Sequence, residues 1–133
     1  MPLTGAHHVA LTVTDLARSR EWYTKLFDWK LLFDGEDDGR KFAVGMLPSG
    51  LILGLSQHAD TTGSFEPSHV GLDHLAFAVP SRSELPTWEQ RFTELGVEFT
   101  PTTDAAYGHV LNFKDPDGIA LEIFAVPETD GRQ

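Results

Sequence analysis

Large apolar residues alternate with small or polar ones over Val9–Val13 and again over Leu75–Val79, the period of a half-buried strand. Each alternation runs into a helical pattern, residues 15–27 (DLARSREWYTKLF) and 83–95 (SELPTWEQRFTEL). Asp15, and Ser81 or Ser83, are the expected N-caps, and Gly96 the expected C-terminal stop. Short apolar stretches follow at Trp29–Phe33 and Val97–Phe99. Each half then closes on a hairpin, KFAVGMLPSGLILGLS and HVLNFKDPDGIALEIF, with turns at Pro48-Ser49-Gly50 and Pro116-Asp117-Gly118.

The chain therefore repeats itself: GAHHVALTVTD at residues 5–15 returns as GLDHLAFAVPS at residues 71–81. Each half predicts strand, helix, then three strands. Module 1 spans about residues 5–57, a polar and breaker-rich linker about 58–70, and module 2 about 71–126, within one domain of 133 residues. Residues 34–40 (DGEDDGR) read as an acidic, solvated hairpin tip, and the tail after Val126 as frayed.

Alternation also assigns faces. His8, Ala10 and Thr12 share one side of the first strand, opposite Val9, Leu11 and Val13. His74, Ala76 and Ala78 oppose Leu75, Phe77 and Val79. The histidine faces carry small side chains, so space is left in front of the imidazoles where a core would be filled. In the last strand Ala120, Glu122 and Phe124 share a face. A buried carboxylate in an apolar strand costs several kcal/mol unless a cation or a proton meets it. Two histidines and a glutamate on three strands have the composition of a facial triad for a divalent first-row metal. A lone strand histidine is more often a core or surface residue; His8, His74 and Glu122 draw weight from their repeat-related places. His7 falls on the opposite face and is read as a non-ligand.

Composition narrows the chemistry. Apolar residues are 41% and charged residues 23%, ordinary for a globular chain. The net charge of −10 opposes nucleic acids and anionic membranes as partners. With no cysteine, disulfides, thiolate sites and a cysteine nucleophile are excluded, which fits a reducing cytoplasm. No apolar run approaches a membrane span, and residues 1–10 lack a basic secretory start.

The segments HHVALTVTDL, GLDHLAFAV and FKDPDGIALEIF, with Trp22-Tyr23 in the intervening helix, together resemble the vicinal oxygen chelate superfamily of glyoxalases, extradiol dioxygenases, fosfomycin-resistance transferases and bleomycin-resistance proteins. The resemblance covers about residues 5–126. It implies an α+β fold of two βαβββ modules forming a curved, partly open, barrel-like sheet around a central metal, usually in a homodimer. It carries the family's metal positions onto His8, His74 and Glu122, with Fe2+ or Mn2+ preferred and Zn2+ or Ni2+ as alternatives. A fourth family position falls on Gly54, which supplies no ligand. That departure disfavours a glyoxalase-type lyase or isomerase and favours a three-ligand, dioxygenase-like enzyme on a small substrate with two adjacent oxygens. A metal-free drug- or metabolite-binding protein is the competing reading.

If the turn at residues 115–118 pairs symmetrically, Glu122 faces Leu111, and His109, Leu111 and Phe113 look into the same cavity; a bulge would flip that parity. On that pairing His109, near the mouth of the cavity, is a candidate general acid or base, with an edge-strand histidine in solvent as the alternative, and Tyr107 is a candidate for holding a substrate oxygen. Trp22, Tyr23, Trp29 and Trp88 are assigned to core packing. His58 and His69 fall in the linker, and the sequence assigns them neither to closing over the pocket nor to solvent.

Overall fold

A computed structural model describes residues 1–128. Residues 129–133, part of the tail expected to fray, lie outside the described residues. The chain divides into two compact units, Met1–Gly63 and Ser64–Gln133, and the division falls inside the segment expected to link them. No helix among the described residues is long and apolar enough to cross a membrane.

The first unit runs β1 (Val9–Thr12), α1 (Leu16–Phe27), β2 (Lys30–Asp37), β3 (Arg40–Met46) and β4 (Ile52–Gln57). Its sheet has the order β1-β4-β3-β2, with β1 parallel to β4 and the other pairs antiparallel. The second unit repeats the plan with β5 (Leu75–Ala78), α2 (Leu85–Leu95), β6 (Phe99–Ala105), β7 (Gly108–Lys114) and β8 (Ala120–Ala125). Its sheet order is β5-β8-β7-β6, again with one parallel pair, β5 with β8. Each sheet is open and carries one α-helix, the α+β arrangement of two like modules that the repeat predicts. The helix after the first strand returns the chain to pair parallel to it, as a crossover connection requires.

Local chemistry fixes the helix ends. Asp15 caps α1, its Oδ1 accepting from the Arg18 N–H at 3.1 Å. Asp28 and Gly96 end the two helices in the left-handed region, φ 56° and 70°. The expected Ser81 or Ser83 cap on α2 does not form. The two hydroxyls bond each other at 2.7 Å, a 3₁₀ turn covers Arg82–Glu84, and α2 starts at Leu85. Pro86 in the first turn of α2 explains the later start, because its missing N–H has no partner to lose there.

The alternation read from the sequence sorts the faces. Leu11, Val13, Leu53 and Leu55 are buried in the first unit, and Leu121, Ile123 and Ala125 in the second. The two cores fill the space under the helix differently. In the first, the Trp29 ring lies against Gly45, where an added Cβ would stand 2.3 Å from the indole, and Trp29 Nε1 donates to Leu53 O at 2.9 Å. In the second, Val97 takes the place of Trp29 and Phe113 that of Gly45, so the aromatic bulk comes from the sheet. Phe92 of α2 meets Phe113 at 4.5 Å between centroids and Phe99 at 5.7 Å.

The acidic segment differs from its reading as a loop. β2 runs to Asp37, and Asp38–Gly39 alone form the turn into β3, both with positive φ. β2 is an edge strand, exposed at every position, so its carboxylates stay solvated and leave no apolar alternation to read.

Phe92 is fully buried at the centre of the ring cluster. Phe92→Ala is expected to lower unfolding stability by about 3–5 kcal/mol in urea denaturation, with the denaturant slope unchanged.

Candidate functional site

The second unit brings together two of the residues singled out by sequence. β8 lies between β5 and β7. In the parallel pair Ala76 stands opposite Glu122 and Ala78 opposite Phe124, so His74, two residues before Ala76, is on the Glu122 side. The Glu122 side chain is 16% exposed and the His74 side chain 43%. His74 Nε2 and Glu122 Oε2 are 3.4 Å apart. The other ring nitrogen, Nδ1, lies 2.6 Å from Asp73 Oδ1. That hydrogen bond raises the His74 pKa above the ordinary histidine value; partial burial opposes it and the Glu122 charge adds to it.

This donor set fits a divalent cation. A metal-ligating histidine usually has its other ring nitrogen fixed by a carboxylate, carbonyl or water, and here Asp73 takes Nδ1 while Nε2 lies beside Glu122. Among the described residues no group of three or more histidine or acidic side chains converges to hold a metal ion. His8 belongs to the first unit.

The sequence reading errs at the turn before β8. Asp115 N–H donates to Ile119 O at 3.1 Å, and Gly118, at φ 78°, occupies the left-handed position. Three residues are thus enclosed, and the pairing puts Glu122 opposite Asn112, not Leu111. Asp115 locks the geometry, its Oδ1 accepting from the N–H groups of Asp117 and Ile119 at 2.9 Å each. The change of parity moves Leu111 and Phe113 off the Glu122 face and into the core, where both are buried. His109 moves with them to the opposite face of the sheet. In its stead the exposed Asn112 faces Glu122 directly, a residue the sequence reading missed. Counting the turn residues Pro116, Asp117 and Gly118 as one enclosed odd loop was the signal that could have found it.

Tyr107 stands near the same face. Its ring stacks on Phe124 at 6.4 Å between centroids and 17° between planes. Gly108 makes the approach feasible, since a Cβ there would lie 2.3 Å from the Phe124 ring.

The first unit has matching register and different chemistry. Ala10 stands opposite Gly54 in the parallel pair β1 and β4, as Ala76 stands opposite Glu122. His8 is therefore placed as His74 is, beside a glycine instead of a carboxylate. A Cβ at Gly54 would meet Ala10 Cβ at 3.5 Å and Val44 Cγ2 at 3.7 Å, ordinary contacts, so the glycine is not required by packing. His8 Nδ1 lies 2.9 Å from His7 Nδ1. The Arg40 guanidinium lies 4.6 Å above the Phe42 ring and pairs with Asp37 at 3.3 Å.

His109 has a network of its own. Its Nδ1 is 2.7 Å from Asp104 Oδ1, and Arg82 donates to both Asp104 oxygens at 3.0 and 3.2 Å. The Arg82 hydrogen bonds, then the one from His109, hold the Asp104 carboxyl below its ordinary range. The cluster joins the 3₁₀ turn to the β6–β7 hairpin. His58 and His69 are exposed, and each is fixed by its backbone N–H: His58 to Thr61 Oγ1 at 2.8 Å, His69 to Glu66 O at 3.2 Å.

Comparison with known proteins agrees with this architecture. Residues 5–123 match the Glyoxalase/Bleomycin resistance protein/Dioxygenase superfamily. The chain is 30% identical over 123 residues to metallothiol transferase FosB of Bacillus licheniformis, covering 91% of this chain and 75% of that one. It is 28% identical over 122 residues to catechol-2,3-dioxygenase of Bacillus subtilis, covering 92% of this chain and 41% of that enzyme. A crystal structure of a glyoxylase/bleomycin resistance protein/dioxygenase domain from Frankia sp. EAN1pec superposes with a TM-score of 0.89 at 44% identity, covering 96% of this chain and 95% of that one.

The Asp104 cluster sets a pH dependence. A carboxylate whose folded pKa is depressed adds stability above its unfolded pKa and loses it as pH falls through the folded value. Asp104→Asn should therefore lower Tm at neutral pH relative to the parent. The difference should close on acidification below the ordinary carboxylate range, about pH 3.9 for aspartate, in thermal scans across pH.

Proposed function

Because the chain belongs to the Glyoxalase/Bleomycin resistance protein/Dioxygenase superfamily, we propose that it is a metal-dependent enzyme acting on a small substrate that offers two adjacent oxygens. The observation that carries this reading is the His74 Nε2 to Glu122 Oε2 approach, with Nδ1 already taken by Asp73. His74 and Glu122 are the ligands this reading draws from the second unit; His8, in the first, is carried as a ligand by the family motif. The support for His8 is its register, two residues before Ala10 opposite Gly54, which repeats that of His74 before Ala76. Fe2+ or Mn2+ suits this nitrogen and oxygen set. A cation so held supplies Lewis acidity toward the paired oxygens of a substrate.

The chain's own residues do the rest. Glu122 contributes the anionic donor. Asn112, directly opposite, offers an amide that both donates and accepts to a substrate atom beside the chelated pair. Ala76 and Ala78 keep the neighbouring strand low, and Phe124 forms an apolar wall. Tyr107, stacked on Phe124, is the candidate for meeting a substrate oxygen. The acid–base role expected of His109 is not carried forward, because its ring lies on the core side with Leu111 and Phe113.

Gly54 bears on the reaction class. With no donor at that place, a three-ligand site keeps room for a bidentate substrate and a further small molecule, so oxygen-inserting ring opening is preferred. Transfer of a thiol to a small electrophile is the second reading, favoured by the 30% identity to the metallothiol transferase. The chain is read as a homodimer. The edge strand β2 leaves Leu31, Leu32 and Phe33 exposed, and each sheet ends in strands with one edge unpaired within its own unit.

Titration calorimetry with Mn2+ or Fe2+ should give one ion per chain, with His8→Ala, His74→Ala and Glu122→Ala each weakening it more than about 100-fold, beyond the usual effect of an outer partner. Wild-type protein that binds no metal overturns the reading. Oxygen uptake on catechols, run against thiol addition to fosfomycin, separates the two reaction classes.

Gly54→Glu should tighten metal binding and abolish turnover. Turnover that survives with the new carboxylate on the metal removes the preference for oxygen insertion. Light scattering should report a dimer at micromolar concentration.

A further inference from the structure

Both candidate ligand histidines share a feature that strand alternation does not describe. In each, Nδ1 is engaged by the side chain of the residue immediately before it. His74 Nδ1 lies 2.6 Å from Asp73 Oδ1, and His8 Nδ1 lies 2.9 Å from His7 Nδ1. Aspartate Oδ1 and histidine Nδ1 stand at the same remove from the backbone, so the two preceding residues present an acceptor atom at the same place. The His7 and His8 rings meet edge to face, at 90° and 5.2 Å between centroids, which lets one nitrogen point at the other in plane.

We propose that His7 and Asp73 are positioning residues, which fix the proton of His8 and His74 on Nδ1 and leave Nε2 of each bare for a metal. This rests on the metal-dependent reading above. A neutral imidazole carries one N–H. Asp73 and Glu122, as carboxylates, both only accept, and Asp73 at 2.6 Å draws the His74 proton to Nδ1 over Glu122, which stands 3.4 Å from Nε2. His7 accepts through its Nδ1 lone pair when its own proton is on Nε2. The second unit thus holds its ligand with a charged acceptor and the first with a neutral one. Charge-assisted hydrogen bonds are the stronger kind. Asp73 therefore matters more to metal affinity than His7, which acts through His8 although it lies off the ligand face.

Two measurements test this, one of them free of metal. In metal-free protein at alkaline pH, long-range proton–nitrogen NMR should find His8 and His74 both protonated on Nδ1. Asp73→Ala should release His74, and His7→Ala should release His8, toward the Nε2–H form. A wild-type ring already in the Nε2–H form overturns the proposal for that ring.

In Mn2+ titrations, Asp73→Ala should weaken binding by about 10- to 100-fold and His7→Ala by less, the range found when an outer partner is removed. Asp73→Asn and His7→Asn, which keep an acceptor oxygen at the same position, should stay closer to wild type than the alanine variants. His7→Asp should tighten binding. Alanine variants that bind Mn2+ within twofold of wild type overturn the proposal, as do asparagine variants no better than alanine. Wild-type protein that binds no Mn2+ overturns the metal-dependent reading and the ligand-positioning role with it, while the NMR result still decides where the protons sit.

Discussion

The parallel pairing of the first and last strands of each unit is the constraint from which the site follows. It sets Ala76 against Glu122 and Ala10 against Gly54, and so fixes which histidine stands beside which last-strand residue. The pairing is itself a product of the helix between, since two parallel strands cannot be joined by a tight turn. Packing of α2 and the left-handed stop at Gly96 thus bear on one distance, that between His74 and Glu122. Glu122 is largely covered in a strand whose other face is core, and a partner for its charge is the condition on which it stays there.

The two units show how a repeated fold divides its tasks. Trp29 lies over Gly45 in one unit, while the other has Val97 and Phe113 at the matching positions, with Phe113 against Phe92 of its helix, so the aromatic residue changes place between the two cores. The ligand row diverges more sharply. Glu122 in one unit answers Gly54 in the other, and Asn112 answers Val44.

Much of this was legible in the residues. The repeat, the strand faces, the helix ends of α1 and the convergence of His74 with Glu122 all follow from period and spacing. Failures came where a single residue decides parity or where exposure erases pattern. Gly118 makes the β7–β8 turn odd, and one residue of slip carried Leu111, Phe113 and His109 to the wrong face while hiding Asn112. β2 was cut short because its outer half carries acids on both sides. His7 was set aside by alternation, which sorts side chains by face and is blind to a bond between neighbours in the chain. The Arg82–Asp104–His109 cluster joins residues 22 and 5 apart in sequence, with no period to announce it.

The two halves of β2 also govern how copies of this chain meet in a crowded solution. Leu31, Leu32 and Phe33 are sticky, whereas Asp34, Glu36 and Asp37 are not. A second β2 laid alongside in parallel would stack acid on acid along half its length. Laid antiparallel over the full strand, it would set acid against leucine. Only a short overlap confined to the apolar end escapes both, and a ladder of so few residues is too weak to propagate. The strand thus offers a neighbour its apolar end, while its acids oppose a longer ladder.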